Sequence, residues 1–271
     1  MIKPVLRYPG GKWRLRAPIL ARLDRYQGWK QFREPFVGAG AIGIAMIIAH
    51  PEREVWINDL DPGIYCLWKA VRDHPDLLAR RLRDFVPSIE AYTQIRAYLR
   101  SKPTVACDHD VVHVALCKLA LHCLSFSGIG LAGGPRLNIG KKWSTGDLCE
   151  KIARLQHYIR HIRITTGDYS ELIFDKSVPS LLYLDPPYWG AGPGLYPHFL
   201  VGYQDHVELA RRLLCTPHSW VLSYDECPQI RQLYQDWANV DCIPVKYTIR
   251  NRPVIKTELL ISSKLLPNAG G

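Results

Sequence analysis

A short segment near residue 185 combines residue types that could bind an amine. Residues 180–188 are Ser-Leu-Leu-Tyr-Leu-Asp-Pro-Pro-Tyr, so an apolar run ends in a carboxylate, two prolines and an aromatic ring. The prolines stiffen the backbone and remove two amide donors, which leaves only acceptors at the Asp185–Pro186 corner. An NH2 group can donate one N–H to the Asp185 carboxylate and one to the Pro186 carbonyl, while Tyr188 stacks on the attached base. We therefore predict that Asp185, Pro186, Pro187 and Tyr188 form a pocket for an aromatic amine.

A second candidate site begins in residues 34–40, Glu-Pro-Phe-Val-Gly-Ala-Gly, where a predicted strand runs into a glycine turn. Glycines tolerate positive φ and let a ligand lie against the main chain. Asp59 closes the next predicted strand and follows Gly40 by 59 − 40 = 19 residues. A carboxylate about 20 residues beyond a glycine turn is placed to accept hydrogen bonds from ribose hydroxyls. The third glycine of a dinucleotide site is poorly matched, which favours a nucleoside without pyrophosphate, such as S-adenosylmethionine, over NAD.

The elements that must position these residues alternate between strands and helices. Apolar, β-branched segments predict strands over 32–37, 54–58, 181–185, 220–224, 242–249 and 258–262. Helices are predicted over 41–49, 62–72, 75–85, 89–99, 111–124, 147–161, 205–214 and 228–237. Short buried strands separated by helix-length segments indicate an α/β fold with a mostly parallel sheet.

The alternation breaks between about residues 64 and 160, where predicted helices surround a glycine-rich loop at 125–140. This stretch predicts an inserted lobe of residues 64–160. Residues 1–63 and 161–266 would then form one domain around it. Lys and Arg side chains cluster along the lobe, which suits either a solvated surface or a polyanion.

Composition limits the class of protein. Of 271 residues, 47% are hydrophobic and 22% charged, as in ordinary folded proteins. The excess of 35 Lys and Arg over 25 Asp and Glu gives a net charge of +10, which makes a polyanionic partner plausible. We find no membrane-length apolar run, no signal peptide and no CxxC among the eight cysteines, so we expect a cytoplasmic protein with reduced thiols and no metal site.

These motifs resemble those of the Dam-type DNA adenine methyltransferases, the alpha-class enzymes that depend on S-adenosylmethionine. Asp-Pro-Pro-Tyr at 185–188 and the glycine turn at 34–40 match, and Leu-Arg-Tyr-Pro-Gly-Gly-Lys at 6–12 is similar to the family's opening motif. The motif order also agrees, and the resemblance covers most of residues 3–262, strongly at four core motifs and weakly in the lobe. It implies a class I S-adenosylmethionine methyltransferase sheet of the Rossmann-like type with an inserted helical DNA-recognition lobe.

The resemblance assigns residues to the methyl donor S-adenosyl-L-methionine. Tyr8 and Lys12 match donor-contacting positions, Lys12 suiting the methionine carboxylate, although the family more often has Trp where Tyr8 stands. Asp59 would hold the ribose and Asp168 would lie near the adenine. The full set implied for the donor site is Tyr8, Lys12, Phe36, Gly38, Gly40, Asp59, Asp168 and Asp185.

The implied reaction is site-specific methylation of the exocyclic N6 amine of a flipped-out adenine in duplex DNA, with Asp185, Pro186, Pro187 and Tyr188 as catalytic residues. The implied DNA contacts come from the glycine-rich loop and its flank, at Arg136, Asn138, Lys141 and Lys142. Methylation of RNA adenine or of cytosine N4 in DNA stays open, as does an inactive DNA-binding relative. Asp rather than Asn or Ser before the prolines favours DNA adenine.

The expected partners follow from the same resemblance. Double-stranded DNA is the main one, and a cognate restriction endonuclease stays open. We expect a monomer or weak dimer without membrane association, acting in a bacterial cytoplasm whether encoded by a bacterium or by a phage.

Overall fold

The computed structural model describes residues 2–6, 10–139, 143–190, 202–249 and 252–264, with the backbone alone at 246–249 and 252–254. The strands are β1 (Gln31–Glu34), β2 (Glu54–Asn58), β3 (Arg163–Thr165), β4 (Ser180–Leu184), β5 (Ser219–Asp225), β6 (Asn239–Ile249) and β7 (Arg252–Ser262). The helices are α1 (Arg16–Leu23), α2 (Ala41–Ala49), α3 (Pro62–Asp73), α4 (Pro75–Asp84), α5 (Ile89–Arg100), α6 (Asp108–Leu124), α7 (Thr145–Ile159), α8 (Ser170–Phe174), α9 (Tyr203–Cys215) and α10 (Pro228–Tyr234).

The strands form a seven-stranded sheet in the order β3-β2-β1-β4-β5-β7-β6. The pairs β2–β3, β1–β4 and β4–β5 are parallel, whereas β7 runs antiparallel to both β5 and β6. The predicted α/β fold with a mostly parallel sheet is therefore confirmed. Among the helices that the structure describes, none combines the length and the apolar character needed to span a membrane.

Several element boundaries differ from the predictions for local reasons. The strand predicted over 32–37 ends at Glu34, because Pro35 has no N–H to donate to a ladder. The helix predicted over 228–237 ends at Tyr234, after which the chain closes a tighter turn with Trp237 N–H donating to Tyr234 O at 3.2 Å. The hairpin strands β6 and β7 are longer than predicted, because they pair with each other along their whole length.

The chain divides into two compact units, the first made of Met1–Trp13 and Val37–Asp168. It contains β2, β3 and helices α2 to α7. Helix α6 is the centre of its helical part, since 12 of its 17 residues are buried and α3 and α5 pack on it. The predicted lobe 64–160 falls inside this unit, and its boundaries stay a prediction.

The second unit consists of Arg14–Phe36 and Tyr169–Gly271 and contains β1, β4 to β7, α1 and α8 to α10. Every residue of β4 is buried, and the apolar side chains of β4, β5 and β7 form one core with α9 and α10. A buried parallel strand flanked on both sides gives a rigid support for whatever follows its carboxyl end. The residue that follows β4 is Asp185.

Candidate active site

The glycine turn before α2 requires its glycines for two separate reasons. Gly38 has φ 45° and Gly40 has φ 66°, both in the left-handed region that side chains disfavour. Trp68 of α3 packs against this turn, with Nε1 donating to Gly38 O at 3.1 Å. A Cβ built on Gly40 would lie 2.3 Å from Trp68 Cζ2. Gly40 is therefore needed for packing, whatever it contributes to a ligand.

Asp59 is fixed by two backbone donors at the carboxyl end of β2. Its Oδ2 accepts from Gly38 N at 2.9 Å and its Oδ1 from Asp61 N at 3.0 Å. Burial of the carboxyl group, and next the neighbouring charge of Asp61, raise the pKa of Asp59 to about 7, although these hydrogen bonds act in the opposite direction. Near neutral pH both the protonated and the ionised form of this group are therefore populated, while its position is set by the main chain.

A buried ion pair supports the same turn. Lys118 of α6 is buried, and its Nζ lies 2.6 Å from Asp61 Oδ2. Asp61 also caps α3, with Oδ1 accepting from Gly63 N at 2.7 Å and from Ile64 N at 3.4 Å. Burial alone would raise the pKa of Asp61, but Lys118 beside it brings that pKa below its usual range. The sequence alone does not predict this pair, and its one local signal is a lysine within an apolar part of α6.

Asp168 emerges from the strand beside β2. Asn58 pairs in register with Thr165, and Asn58 Nδ2 donates to Gly167 O at 3.0 Å. Because β2 and β3 are parallel neighbours, Asp59 and Asp168 leave the same edge of the sheet, the edge where ligands bind in α/β proteins. The Asp168 side chain is exposed, and Tyr169, the next residue, is the N-cap residue of α8.

The remaining residues predicted for the donor are divided between the units. Lys12, in the first unit, is buried, and its Nζ donates to Gly10 O at 2.8 Å. Phe36, in the second unit, packs against the Tyr169 ring at 5.2 Å. Tyr8 lies outside the described residues. A buried ammonium and a backbone-fixed carboxylate in one unit fit the two polar ends of a donor that carries a carboxylate and ribose hydroxyls.

The predicted amine pocket follows β4 in the second unit. Pro186 and Pro187 are buried and Asp185 is partly buried. Ser223 of β5 donates to Asp185 Oδ1 at 3.2 Å, and the same Ser223 hydroxyl lies 2.9 Å from the hydroxyl of Tyr183. The neighbouring strand therefore binds Oδ1 of the Asp185 carboxylate through Ser223.

Tyr188, the last residue of the pocket, is held by its hydroxyl. That group donates to Glu258 Oε2 of β7 at 3.1 Å, and the ring lies 5.8 Å from Tyr224. Burial, and next the negative charge of Asp185, raise the pKa of Tyr188 well above its usual value, so the phenol stays protonated and donates. The ring itself is only partly buried. Neither Glu258 nor Ser223 is among the site residues predicted from the sequence.

Hydrogen bonds within the glycine-rich loop, and one from the end of α6, hold the loop in its conformation. Ser125 pairs with Pro135, and Arg136 Nε donates to Ser125 O at 2.8 Å. His122, on α6, approaches Gly128 O at 2.8 Å through Nδ1. Of the residues predicted to contact DNA, Asn138 is exposed, and Arg136 is partly buried and uses its Nε for the bond to Ser125 O. Lys141 and Lys142 lie outside the described residues.

Comparison with known proteins gives the family. Residues 8–250 match the model of the D12 class N6 adenine-specific DNA methyltransferases. The chain belongs to this family. As a member of the D12 class it uses S-adenosyl-L-methionine as its methyl donor, on a sheet of the class I methyltransferase type. Within the described ranges of this D12 methyltransferase, no three His, Cys, Asp or Glu residues group as metal ligands would.

Individual relatives of this D12 methyltransferase are distant. The Type II methyltransferase M.MjaIII of Methanocaldococcus jannaschii is 24% identical over 202 residues, which cover 69% of each chain. The Type II methyltransferase M1.LlaDCHI of Lactococcus lactis subsp. cremoris is 22% identical over 256 residues, 87% of this chain and 86% of that protein. Among solved structures, the rRNA methyltransferase aviRa from Streptomyces viridochromogenes has a TM-score of 0.37 at 16% identity, covering 93% of this chain and 84% of that one. Structural similarity at that level assigns no substrate.

Proposed function

We propose that this protein transfers the methyl group of S-adenosyl-L-methionine to the exocyclic N6 amine of an adenine flipped out of duplex DNA at a specific site. The observation that carries the proposal is the Asp185 corner. A carboxylate that accepts a hydrogen bond from Ser223 is followed by two buried prolines and by a partly exposed tyrosine ring. This arrangement offers two acceptors to one NH2 group and a flat surface to its base.

The corner would act on the geometry of the amine. The lone pair of an adenine amine is delocalised into the ring, which makes the nitrogen a poor nucleophile. Hydrogen bonds from both amine hydrogens, to the Asp185 carboxylate and the Pro186 carbonyl, favour a pyramidal nitrogen with a localised lone pair. When bound, S-adenosyl-L-methionine supplies an electrophilic methyl group on its sulfonium. Holding the amine in line makes the step effectively unimolecular, and Asp185 can accept the proton that the methylated nitrogen releases.

The amine of a base that is stacked in a duplex is out of reach, so the base must leave the duplex. Tyr188 would stabilise the flipped base by stacking on it. We expect Tyr188→Ala to weaken target engagement by about 1–3 kcal/mol, the value of one base–aromatic stack. The loss should be visible in kcat/KM on duplex DNA, while the affinity for S-adenosyl-L-methionine measured by calorimetry stays unchanged. Unaltered kinetics on duplex DNA would argue against stacking.

Asp59 is proposed to accept hydrogen bonds from the donor ribose, and its titration should then be visible in donor binding. Ribose hydroxyls donate best to the ionised carboxylate, and the pKa of Asp59 in the protein is about 7. Binding therefore releases a proton below that pH, and affinity should rise with pH by up to about tenfold per unit until about pH 7 and then level off. Calorimetric titrations across this range measure the slope.

Two variants serve as controls for that slope. Asp59→Asn should bind the donor more weakly and with little pH dependence, whereas Asp168→Asn, which changes an exposed carboxylate, should keep the slope. A wild-type affinity that is flat in pH, or a slope that survives in Asp59→Asn, would remove Asp59 from the ribose contact.

The DNA would be bound by Lys and Arg side chains of the recognition lobe, residues 64–160. The net charge of +10 suits a phosphate backbone. We assign Arg136, Asn138, Lys141 and Lys142 to DNA contacts, within a recognition lobe of residues 64–160. The Type II names of two relatives are consistent with a cognate restriction endonuclease as a further partner.

Expression in a host that lacks its own adenine methylation tests the proposal. Sequencing of the host DNA with modified-base detection should show N6-methyladenine within one recurring sequence. N4-methylcytosine in the DNA, or methylation confined to RNA, would contradict the proposed substrate, and unmodified nucleic acid would support an inactive relative instead.

A further inference from the structure

Glu258 is a buried carboxylate in an apolar strand. It is 3% exposed and stands in β7 directly before Leu259, Leu260 and Ile261, which belong to the buried core. Burying a carboxylate is unfavourable unless other groups bind it. A Glu at such a position is therefore expected to make specific hydrogen bonds through its carboxylate oxygens.

The register of the sheet brings Glu258 to the amine pocket. β7 pairs with β5 so that Glu258 stands opposite Asp225, and Ser223 lies two residues before Asp225 on β5. Because side chains alternate along a strand and paired residues share a face, Ser223, Asp225 and Glu258 point to the same side of the sheet. Two of these three side chains contact the predicted pocket, residues 185–188. Ser223 donates a hydrogen bond to Asp185 at its first residue, and Glu258 accepts one from Tyr188 at its last.

We propose that Glu258 is a positioning residue for the target base, which holds the Tyr188 ring beside the Asp185 corner through its hydroxyl before the base arrives. The inference rests on the proposed function, since it concerns the same pocket. It assigns Glu258 no contact with the amine, the methyl group or the donor.

The physical basis is preorganisation. A phenol that donates to a carboxylate makes a charge-assisted hydrogen bond, which is stronger than a neutral one. With its hydroxyl held at 3.1 Å from Glu258 Oε2, the Tyr188 ring cannot turn away from the corner without losing that bond. A ring that is already held at the pocket loses less freedom when a base stacks on it. The benefit therefore falls on binding and holding of the flipped base, and not on donor binding.

Three variants separate the hydrogen bond from the charge. Glu258→Leu removes the acceptor and should lower kcat/KM on duplex DNA by about 10- to 100-fold, the range for a hydrogen bond to a charged group. Glu258→Gln keeps an acceptor oxygen without the charge and should lie between Glu258→Leu and the wild type. Asp225→Asn is the matched control, because it changes a carboxylate opposite Glu258 that does not make the Tyr188 bond, and it should resemble the wild type.

A fluorescent base reports the positioning itself. 2-Aminopurine at the target position brightens when it leaves the DNA stack and is quenched when it stacks on an aromatic ring. With wild type and Glu258→Gln we expect flipping with quenching by Tyr188, and with Glu258→Leu a brighter, unstacked base. Donor affinity should be equal in all of these variants.

Tyr188→Phe completes the test by removing the hydroxyl and keeping the ring. If Glu258 acts through that hydroxyl, Tyr188→Phe and Glu258→Leu should cause similar losses, and the double variant should be no worse than either. Additive losses, or Glu258→Leu with normal kinetics and normal quenching, would overturn the inference while wild-type methylation of adenine kept the proposed function intact. A wild type that leaves DNA adenine unmodified would remove both.

Discussion

Asp185→Ala is expected to lower methyl transfer to duplex DNA by at least about 100- to 1,000-fold, the loss that follows removal of one preorganised transition-state hydrogen bond. In the proposed pocket the carboxylate would be the stronger of the two acceptors, and Ser223 donates a hydrogen bond to it. Without it the amine keeps its delocalised lone pair and its unfixed orientation. The rate should be measured in single turnover with saturating donor, so that chemistry and not product release is observed.

Donor affinity distinguishes this effect from general damage to the protein. Asp185→Ala should bind S-adenosyl-L-methionine within about an order of magnitude of the wild type, which corresponds to about 1.4 kcal/mol. Ser223→Ala, which leaves the carboxylate in place but removes one of its hydrogen bonds, should fall between the two in rate. Full activity of Asp185→Ala would remove the Asp-Pro-Pro-Tyr segment from the mechanism.

Gly40→Ala is expected to destabilise the protein by about 2–5 kcal/mol. An alanine in the left-handed region costs about 1–2 kcal/mol, and over-packing a dense site adds about 1–3 kcal/mol. Here the new methyl group would meet the ring of Trp68 at 2.3 Å, and that ring is buried and bonded to Gly38 O. The ring therefore cannot move aside without breaking a second contact. Urea denaturation measures the free energy of unfolding directly.

Gly146→Ala is the matched control for this substitution. Gly146 lies in α7, and no heavy atom comes within 4 Å of a Cβ built on it. Alanine there should leave stability unchanged or raise it by up to about 1 kcal/mol. If Gly40→Ala unfolded like the wild type and only lost donor affinity, the glycine would serve the ligand alone and the packing explanation would be wrong.

The sequence predicted features whose cause is local. β2 and α2 were predicted with their observed bounds, since an apolar run with clear ends defines each of them. The glycine turn is confirmed, because glycines act on their own backbone, and the role of the Asp185 corner stays a prediction that rests on its two prolines. In contrast, β3 has three residues, none of them buried, and α8 has five, so neither shows a usable periodicity.

The contacts that hold the site could not be predicted, because they join distant parts of the chain. Tyr188 and Glu258 are 70 residues apart, Asp61 and Lys118 are 57 apart, and Asp185 and Ser223 are 38 apart. Each contact depends on how strands pair or how helices pack, and a change of register by one residue would turn the side chain to the opposite face. A buried Glu in an apolar strand and a buried Lys in an apolar helix are the sequence signals that such contacts leave.

The central claim is that a methyl group passes to adenine N6 at the Asp185 corner. The most direct measurement uses S-adenosyl-L-methionine with an isotopically heavy methyl group, purified protein and duplex DNA, followed by digestion to nucleosides and mass spectrometry. We predict the heavy methyl group on N6-methyldeoxyadenosine with the wild type and its loss with Asp185→Ala. The heavy methyl group on cytosine, or equal labelling of adenine by both proteins, would contradict the claim.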